Sequence, residues 1–330
     1  MTAAKLITDN LTIGYDHALL SGLGLTANSG EFVCLMGPNG SGKSTLLRTL
    51  ATLLPPLQGS ILVDSQSLFQ LSAREKAQLI SLVLTEHLDL GYLRVNELVA
   101  MGRYPHTGWR GQLQNADREA VEQALNATGL QDLAMRPVQE LSDGQRQKAL
   151  IARALAQDGS VMLLDEPLIH LDVGNKWEVM NLLRITTRNF NKVLLMATHE
   201  IDLCLQFADK LWLITRDGSV AVGCPEDLVL TGQINDTFDQ GDYKFHHHQE
   251  SQENGSGPQI QISGSGRALE WTRRGLIRAG YQPVQKPGLA KVMVTEEQHI
   301  IHWTLELGEN SLACSSVEKV IVALGRYIDK

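Results

Sequence analysis

The chain has 330 residues, 43% of them hydrophobic, and a formal net charge of −8. That length suits two domains on a prior of about 150 residues each, with apolar content enough for a real core. The acidic balance argues against non-specific nucleic-acid binding, which wants a basic surface, and no stretch approaches the ~18 uninterrupted apolar residues of a membrane span.

In chain order, no apolar signal segment follows Met1-Thr2-Ala3-Ala4-Lys5, so a cytosolic protein is expected. Leu6-Ile7-Thr8 and Leu11-Thr12-Ile13 alternate like strands before a turn at Gly14, and Gly22 and Gly24 punctuate the approach to the next strand. The apolar run Glu31 to Met36 reads as a buried strand and Thr45 to Leu50 as a helix. Between them lies Gly37-Pro38-Asn39-Gly40-Ser41-Gly42-Lys43-Ser44, which fits G-x-x-x-x-G-K-[ST] in the strand–loop–helix context that pattern needs. Glycines let backbone wrap a phosphate, and at Gly40 and Gly42 they permit positive φ. The amides then form an anion nest at a helix N-terminus. Lys43 is expected to reach the β and γ phosphates. The Ser44 hydroxyl should take one position on Mg²⁺, an ion that keeps most of its waters. The ligand class is therefore a nucleoside triphosphate, with ATP the expected nucleotide.

Residues 58–64 read as a further strand, and Ala73 to Gln157 as mostly helical. Within that stretch Ala120, Val121, Ala124 and Leu125 make one apolar face of a helix that Gly129 ends. Apolar strands follow at Val161 to Leu164, Lys192 to Met196 and Leu211 to Ile214. Short apolar strands between helices signal an α/β core with a buried parallel sheet. After Tyr243 the chain turns polar and reads as a linker. The expected organisation is a first domain over 1–243 with a helical part at about 75–157, a linker over 244–258, and a small α+β domain over 259–330. That last domain is marginal alone by size. In it Ile301, Trp303, Leu305 and Leu307 form one face of a strand, with Lys291 to Thr295 as hairpin partner across Glu296-Glu297-Gln298. Leu269, Arg273, Leu276 and Ile277 suggest one helix, and Val317, Val320, Ile321, Leu324 and Ile328 another.

Hydrolysis needs a metal ligand, a base for water and a group that senses the γ-phosphate. The strand Val161 to Leu164 ends in Asp165-Glu166-Pro167. A carboxylate at the C-terminal end of a core strand lies beside the phosphate loop, so Asp165 suits Mg²⁺ and Glu166 the general base. His199, in Thr198-His199-Glu200, ends the next strand within reach of the γ-phosphate. In Leu141-Ser142-Asp143-Gly144-Gln145, Ser142 and Gly144 open a second helix and so a second anion site. Two phosphate-binding helix starts in one chain make sense if two copies bind head to tail.

With these motifs in this order, residues 5 to 240 resemble the ATP-binding cassette (ABC) ATPases. Gly37 to Ser44 is similar to the Walker A loop, Leu141 to Gln145 to the signature motif and Val161 to Glu166 to Walker B. Leu171-Asp172 is similar to the D-loop, His199 to the switch histidine, and Tyr15 to the aromatic residue that stacks on adenine. The resemblance implies an α/β P-loop ATPase core with a helical subdomain. It implies nucleotide contacts from Thr45, Ser142, Gly144, Gln145 and Asp172 beside the loop, and catalysis by Glu166 and His199. It also implies two departures. The signature carries Asp143 where Gly is usual, an extra carboxylate that costs Coulomb energy near a phosphate unless it points away. The Q-loop glutamine is absent from Val83-Leu84-Thr85-Glu86-His87, where Thr85 and Glu86 are both candidates to give Mg²⁺ an oxygen.

The run Asn96 to His106 is similar to the helical subdomain of importers for iron-siderophores, haem and vitamin B12. Such a chain would be a peripheral subunit on the cytoplasmic face of the inner membrane. It would form a homodimer, join permease subunits through the surface near Leu88 to Leu93, and be served indirectly by a substrate-binding protein. An export ATPase and a soluble cassette ATPase are the rival readings. Elsewhere the plain explanations lead. His246-His247-His248 is a solvated linker, His302 a surface residue, Trp271 and Trp303 core, Glu296-Glu297 a solvated turn, and Arg273-Arg274 exposed helix. Cys34, Cys204, Cys224 and Cys314 are widely spaced and read as buried, inert thiols.

Overall fold

The computed structural model describes residues 4–84, 91–108, 110–238, 257–297, 300–308 and 310–328. They fall into two compact units, Met1–Leu203 with Ile214–Val220, and Cys204–Leu213 with Ala221–Lys330. The elements opening the chain are β1 (Ala4–Gly14), β2 (Ala18–Leu23), β3 (Thr26–Asn28), β4 (Phe32–Met36), α1 (Lys43–Leu50), β5 (Gln58–Val63) and β6 (Gln66–Ser67). Then come α2 (Ala73–Leu79), β7 (Ile80–Val83), α3 (Val95–Ala100), α4 (Asn115–Thr128), α5 (Asp143–Ala156), β8 (Val161–Asp165), α6 (Val173–Asn189), β9 (Val193–Ala197) and α7 (Ile201–Phe207).

The heart of the first unit is a parallel run of strands, β4-β9-β8-β7. Every residue of β4, β8 and β9 is buried, which is why these strands read as unbroken apolar runs rather than alternations. Their C-terminal ends bring Met36, Asp165 and Ala197 to one edge of the sheet, since Asp165 pairs with Ala197 and Leu35 with Ala197 in register. A second, antiparallel sheet runs β2-β1-β5-β6, with β3 also on β1. The two strand-like runs expected before Gly14 are one strand, β1.

The stretch expected to be mostly helical contains a strand. Ile80–Val83 pairs with β8 from Ile80↔Val161 to Val83↔Leu164. Four residues are too few for periodicity to separate strand from helix, and the register with β8 decides it. The helix expected to carry the Ala120 to Leu125 face and to end at Gly129 is α4. It buries Val121, Ala124 and Leu125, half-buries Ala120, and ends on Gly129 at φ 67.

The importer-like run Asn96 to His106 forms α3 and a short turn of helix, and it serves as a clasp. The Arg103 guanidinium is buried, donating from Nε to Asp117 Oδ1 at 2.9 Å and from Nη1 to Ala156 O at 2.7 Å. His106 Nε2 lies 2.8 Å from Gln157 O, and Arg74 and Gln78 donate to Pro105 O. That stretch therefore fastens α2 and α4 to the end of α5.

The second unit holds β10 (Lys210–Ile214), β11 (Val220–Gly223), α8 (Pro225–Leu230), α9 (Gln233–Phe238), β12 (Gln259–Ser263), α10 (Gly266–Arg278) and β13 (Gln282–Val284). It continues with β14 (Ala290–Glu297), β15 (Ile300–Leu307), β16 (Asn310–Cys314) and α11 (Val317–Ile328). Its sheet runs β13-β12-β14-β15-β16. The expected β14–β15 hairpin is present but longer than read. Glu296 and Glu297 pair with Ile301 and Ile300, so they lie in strand β14 and not in a turn. Both expected helices are there, as α10 and α11. Trp271 is buried, and Trp303 sits in the core with Ile260, Leu276, Val292, Leu305, Val320 and Leu324. Its buried indole N–H donates to Thr272 Oγ1 at 2.8 Å, the partner such a group needs. Arg273 is exposed, while Arg274 stacks on the Trp271 ring at 4.9 Å.

Arg278 anchors this unit. It donates from Nε and Nη2 to the two oxygens of Glu226 at 2.9 and 2.8 Å, and from Nη1 to Asp209 at 3.3 Å. Those carboxylates raise its pKa against the pull of burial. Asp227 accepts from the amides of Val317 and Glu318 and so caps α11. All four cysteines are buried, and none is joined to another by a disulfide. Among the described residues no helix is long and apolar enough to cross a membrane.

Candidate functional site

The loop between β4 and α1 turns on Gly37, Gly40 and Gly42, at φ 155, 76 and 103. Gly42 is the N-cap of α1 and brings no side chain to it, so the first amides of the helix face outward for a ligand. A Cβ at Gly42 would meet only the tip of the exposed Leu19 side chain, at 2.7 Å, so it is the backbone, at φ 103, that requires glycine there. Lys43 Nζ donates to Gly37 O at 2.8 Å and Pro38 O at 3.0 Å, folding its charge back over its own loop. Ser41 Oγ is buried and finds no hydrogen-bond partner among the described residues. A buried hydroxyl without a partner is costly, and an oxyanion in the loop would supply one.

Ser44 Oγ donates to Asp165 Oδ1 at 3.1 Å. This joins the start of α1 to the end of β8, which are 121 residues apart in sequence. Burial raises the pKa of Asp165, opposed by the Ser44 hydrogen bond and by Arg48 and Lys43. Burial also lowers that of Lys43, opposed by Glu166 and Asp165. Both charges are therefore held short of full stabilisation. A phosphate beside Lys43 and a divalent cation beside Asp165 would each relieve one of them, so the donor set fits a metal–triphosphate pair.

Glu166 follows Asp165 with φ 48, and its amide donates to Ala197 O at 2.9 Å. A non-glycine residue in the left-handed region carries strain, and here it turns the side chain out of the strand's alternation. The Glu166 Oε2 atom lies 2.9 Å from His199 Nδ1. A carboxylate only accepts, so Nδ1 is the protonated nitrogen. Beyond the ring, Glu200 Oε1 is 3.7 Å from His199 Nε2 and accepts from Lys176 Nζ.

The signature residues stand at the start of α5. Ser142 is its N-cap, accepting from Gln145 N at 3.3 Å, while Gln145 Oε1 accepts from Ser142 N at 3.1 Å. Asp143 is 67% exposed and pairs with Arg146 on the same helix at 3.7 Å, so the extra carboxylate turns to its own helix. Asp172 caps α6, accepting from Asn175 N and Nδ2 at 2.8 Å each. Gly144 makes room for that Asn175 amide, whose oxygen occupies the space a Cβ would take.

Gly37 to Ser44, Asp165, Glu166 and His199 thus share one centre at the end of the parallel strands. Ser142, Gly144, Gln145 and Asp172 form a second group at the starts of α5 and α6. Thr45 is buried in α1, and Tyr15 is 61% exposed in the turn between β1 and β2. Thr85 and Glu86 lie outside the described residues, as do Leu88 to Leu90 and His246 to His248. Lys176 was not legible as part of the centre. Its one signal is helical spacing, four residues after Asp172.

Residues 20–169 match the family described as ABC transporter, and residues 256–325 the iron ABC transporter C-terminal domain. The chain is 37% identical over 239 residues to the probable siderophore transport system ATP-binding protein YusV of Bacillus subtilis, covering 72% of this chain and 87% of that one. It is 37% identical over 238 residues to the ferric enterobactin transport ATP-binding protein FepC of Escherichia coli, covering 71% and 86%. Among solved structures it is similar to cbiO1 from Clostridium perfringens, part of the ABC transporter complex cbiONQ. There the TM-score is 0.62 at 27% identity, over 72% of this chain and 96% of that one. The dimeric structure of the bacterial ABC transporter cassette MJ0796 gives 0.57 at 27% identity, over 67% and 98%. With its phosphate loop joined through Ser44 to Asp165 at the end of β8, this chain belongs to the ATP-binding, ATP-hydrolysing subunits of ABC transporters.

Proposed function

We propose that the chain powers an importer for an iron chelate of the siderophore type. The observation that carries the chemistry is the Ser44–Asp165 hydrogen bond, which sets a hydroxyl and a carboxylate at the mouth of the phosphate loop. Support for the cargo comes from the likeness of residues 256–325 to the iron ABC transporter C-terminal domain and from relatives named for siderophore and ferric enterobactin transport.

Gly37 to Ser44 and Thr45 would hold the phosphates of ATP. Lys43 would leave Gly37 O and Pro38 O for the β and γ phosphates, the Ser41 hydroxyl would gain its missing partner, and Tyr15 would stack on adenine. Ser44 and Asp165 would hold Mg²⁺, with an oxygen from Thr85 or Glu86. When bound, that ion neutralises charge developing on the phosphoryl oxygens. Glu166 takes the proton of the attacking water as general base, and His199 orients it through Nδ1. Ser142, Gly144, Gln145 and Asp172 of one copy would close over the nucleotide of a second, making a head-to-tail homodimer with two sites.

The cassette would span residues 1–243 and the small domain 259–330. The dimer would sit peripherally at the inner membrane's cytoplasmic face, on permease subunits, with a substrate-binding protein delivering the chelate. The test is uptake of radiolabelled ferric siderophore by cells lacking the chromosomal copy. The wild-type chain should restore uptake and Glu166→Gln should not. Uptake that needs no functional copy, or restoration only for haem, vitamin B12 or a bare metal ion, would contradict the proposal.

A further inference from the structure

The His199 ring, tied to Glu166 at Nδ1, faces a second carboxylate on its other side. Glu200 Oε1 stands 3.7 Å from His199 Nε2, too far for a hydrogen bond. The same oxygen accepts from Lys176 Nζ. The imidazole is thus flanked by a carboxylate at each nitrogen, and a cation from another element holds the outer one. Lys176 is the fourth residue of α6. Its amide donates to Asp172 O at 2.9 Å, in the turn that the Asp172 carboxylate caps through Asn175. On the other side, the Glu200 amide donates to the Thr198 hydroxyl at 3.2 Å, and Thr198 is fully buried. Both ends of the Lys176–Glu200 pair are therefore anchored. The pair is also partly withdrawn from water, at 23% and 26% side-chain exposure against 53% for His199, where an ion pair is screened less than on the open surface.

We infer that Lys176 is a positioning residue for ATP hydrolysis, which holds Glu200 so that the His199 ring stays on Glu166. The inference rests on the roles proposed above for Glu166 and His199. A Glu200 carboxylate without its cation can swing to the ring, compete with Glu166 for the imidazole, and turn negative charge toward the phosphates. Held by Lys176, it is neutralised and stays short of hydrogen-bonding range. Nδ1 then keeps its proton for Glu166, and the ring keeps its orientation at the end of β9. Lys176 acts only through Glu200 and His199, so its loss should slow the chemical step without loosening ATP. Outer partners that orient an active imidazole are typically worth about 10–100-fold, in line with the cost of small misplacements near reacting groups.

The test is steady-state ATPase of the full chain with Mg²⁺ in Lys176→Met, Lys176→Arg, Glu200→Gln and Glu166→Gln, with binding of a fluorescent ATP analogue measured on each. Lys176→Met should lower kcat about tenfold or more and leave KM and analogue affinity within about twofold, the pattern of an interaction made only in the transition state, whereas Glu200→Gln, which removes the charge that Lys176 restrains, should keep most of kcat. Lys176→Arg should restore most of kcat. The double change Lys176→Met with Glu200→Gln should recover most of the kcat that Lys176→Met loses, since Lys176 acts through the Glu200 charge. Lys176→Met at wild-type kcat, with Glu166→Gln inactive, overturns the inference and leaves the proposed function standing. Near-normal turnover in Glu166→Gln overturns that function instead. If Lys176→Met melts early and loses analogue binding, and the added Glu200→Gln restores no kcat, Lys176 serves the fold and the inference fails.

Discussion

The phosphate loop and the second unit treat buried charge in opposite ways. In the second unit every oxygen of Glu226 meets an N–H of Arg278, Asp209 takes a third, and Asp227 caps a helix. At the loop, Lys43 rests on backbone carbonyls, Ser41 Oγ has no partner among the described residues, Asp165 is pushed toward its neutral form by burial, and Glu166 sits at positive φ. The first arrangement is complete as it stands. The second is arranged for groups that come and go, and its tension is the mark of a site. Completed networks stabilise, and incomplete ones bind.

The sharpest way to break this contrast is at Arg278. Replacing it by Met strands two carboxylates, one of them 1% exposed. It should cost about 3–5 kcal/mol of unfolding free energy, as for other buried pairs that lose one partner, read by denaturant melts of the full chain. Arg278→Met combined with Glu226→Leu should recover much of that loss, because removing both charges together is close to neutral. A loss below about 1 kcal/mol for Arg278→Met would place the pair with exposed ion pairs and erase the contrast.

A smaller effect of opposite sign is expected at the loop. Burial raises the folded-state pKa of Asp165 above 3.8, so the folded chain holds that proton more tightly than the unfolded one. Stability of the nucleotide-free protein therefore falls as pH rises from about 3.8 through the raised value. Above that window, at pH 7, Asp165→Asn removes the cost and should raise the melting temperature of the nucleotide-free protein, while Mg²⁺ with ATP should no longer raise it further. Thermal melts with and without nucleotide measure both. A nucleotide-free Asp165→Asn that melts lower than wild type would show that Asp165 is already satisfied like Glu226.

The same contrast explains what could be read from sequence. Gly37 to Ser44, Asp165, Glu166 and His199 were legible because chemistry fixes residue types at short spacings beside apolar strands. Ile80–Val83 was not, because four residues carry no period and only pairing with β8 makes them a strand. Arg278 with Glu226, 52 residues apart, and Lys176 with Glu200, 24 apart, were invisible because nothing local links them. The Asp143 carboxylate raised a Coulomb question that its position on α5 answers, through Arg146 one turn on.

The central claim, that this loop holds ATP for hydrolysis by Glu166, is tested most directly by single-turnover phosphate release from Glu166→Gln with bound ATP followed in parallel. The account predicts ATP bound with near wild-type affinity, a stable nucleotide-bound dimer, and phosphate release slowed by about 10²-fold or more. Phosphate release at close to the wild-type rate would contradict it.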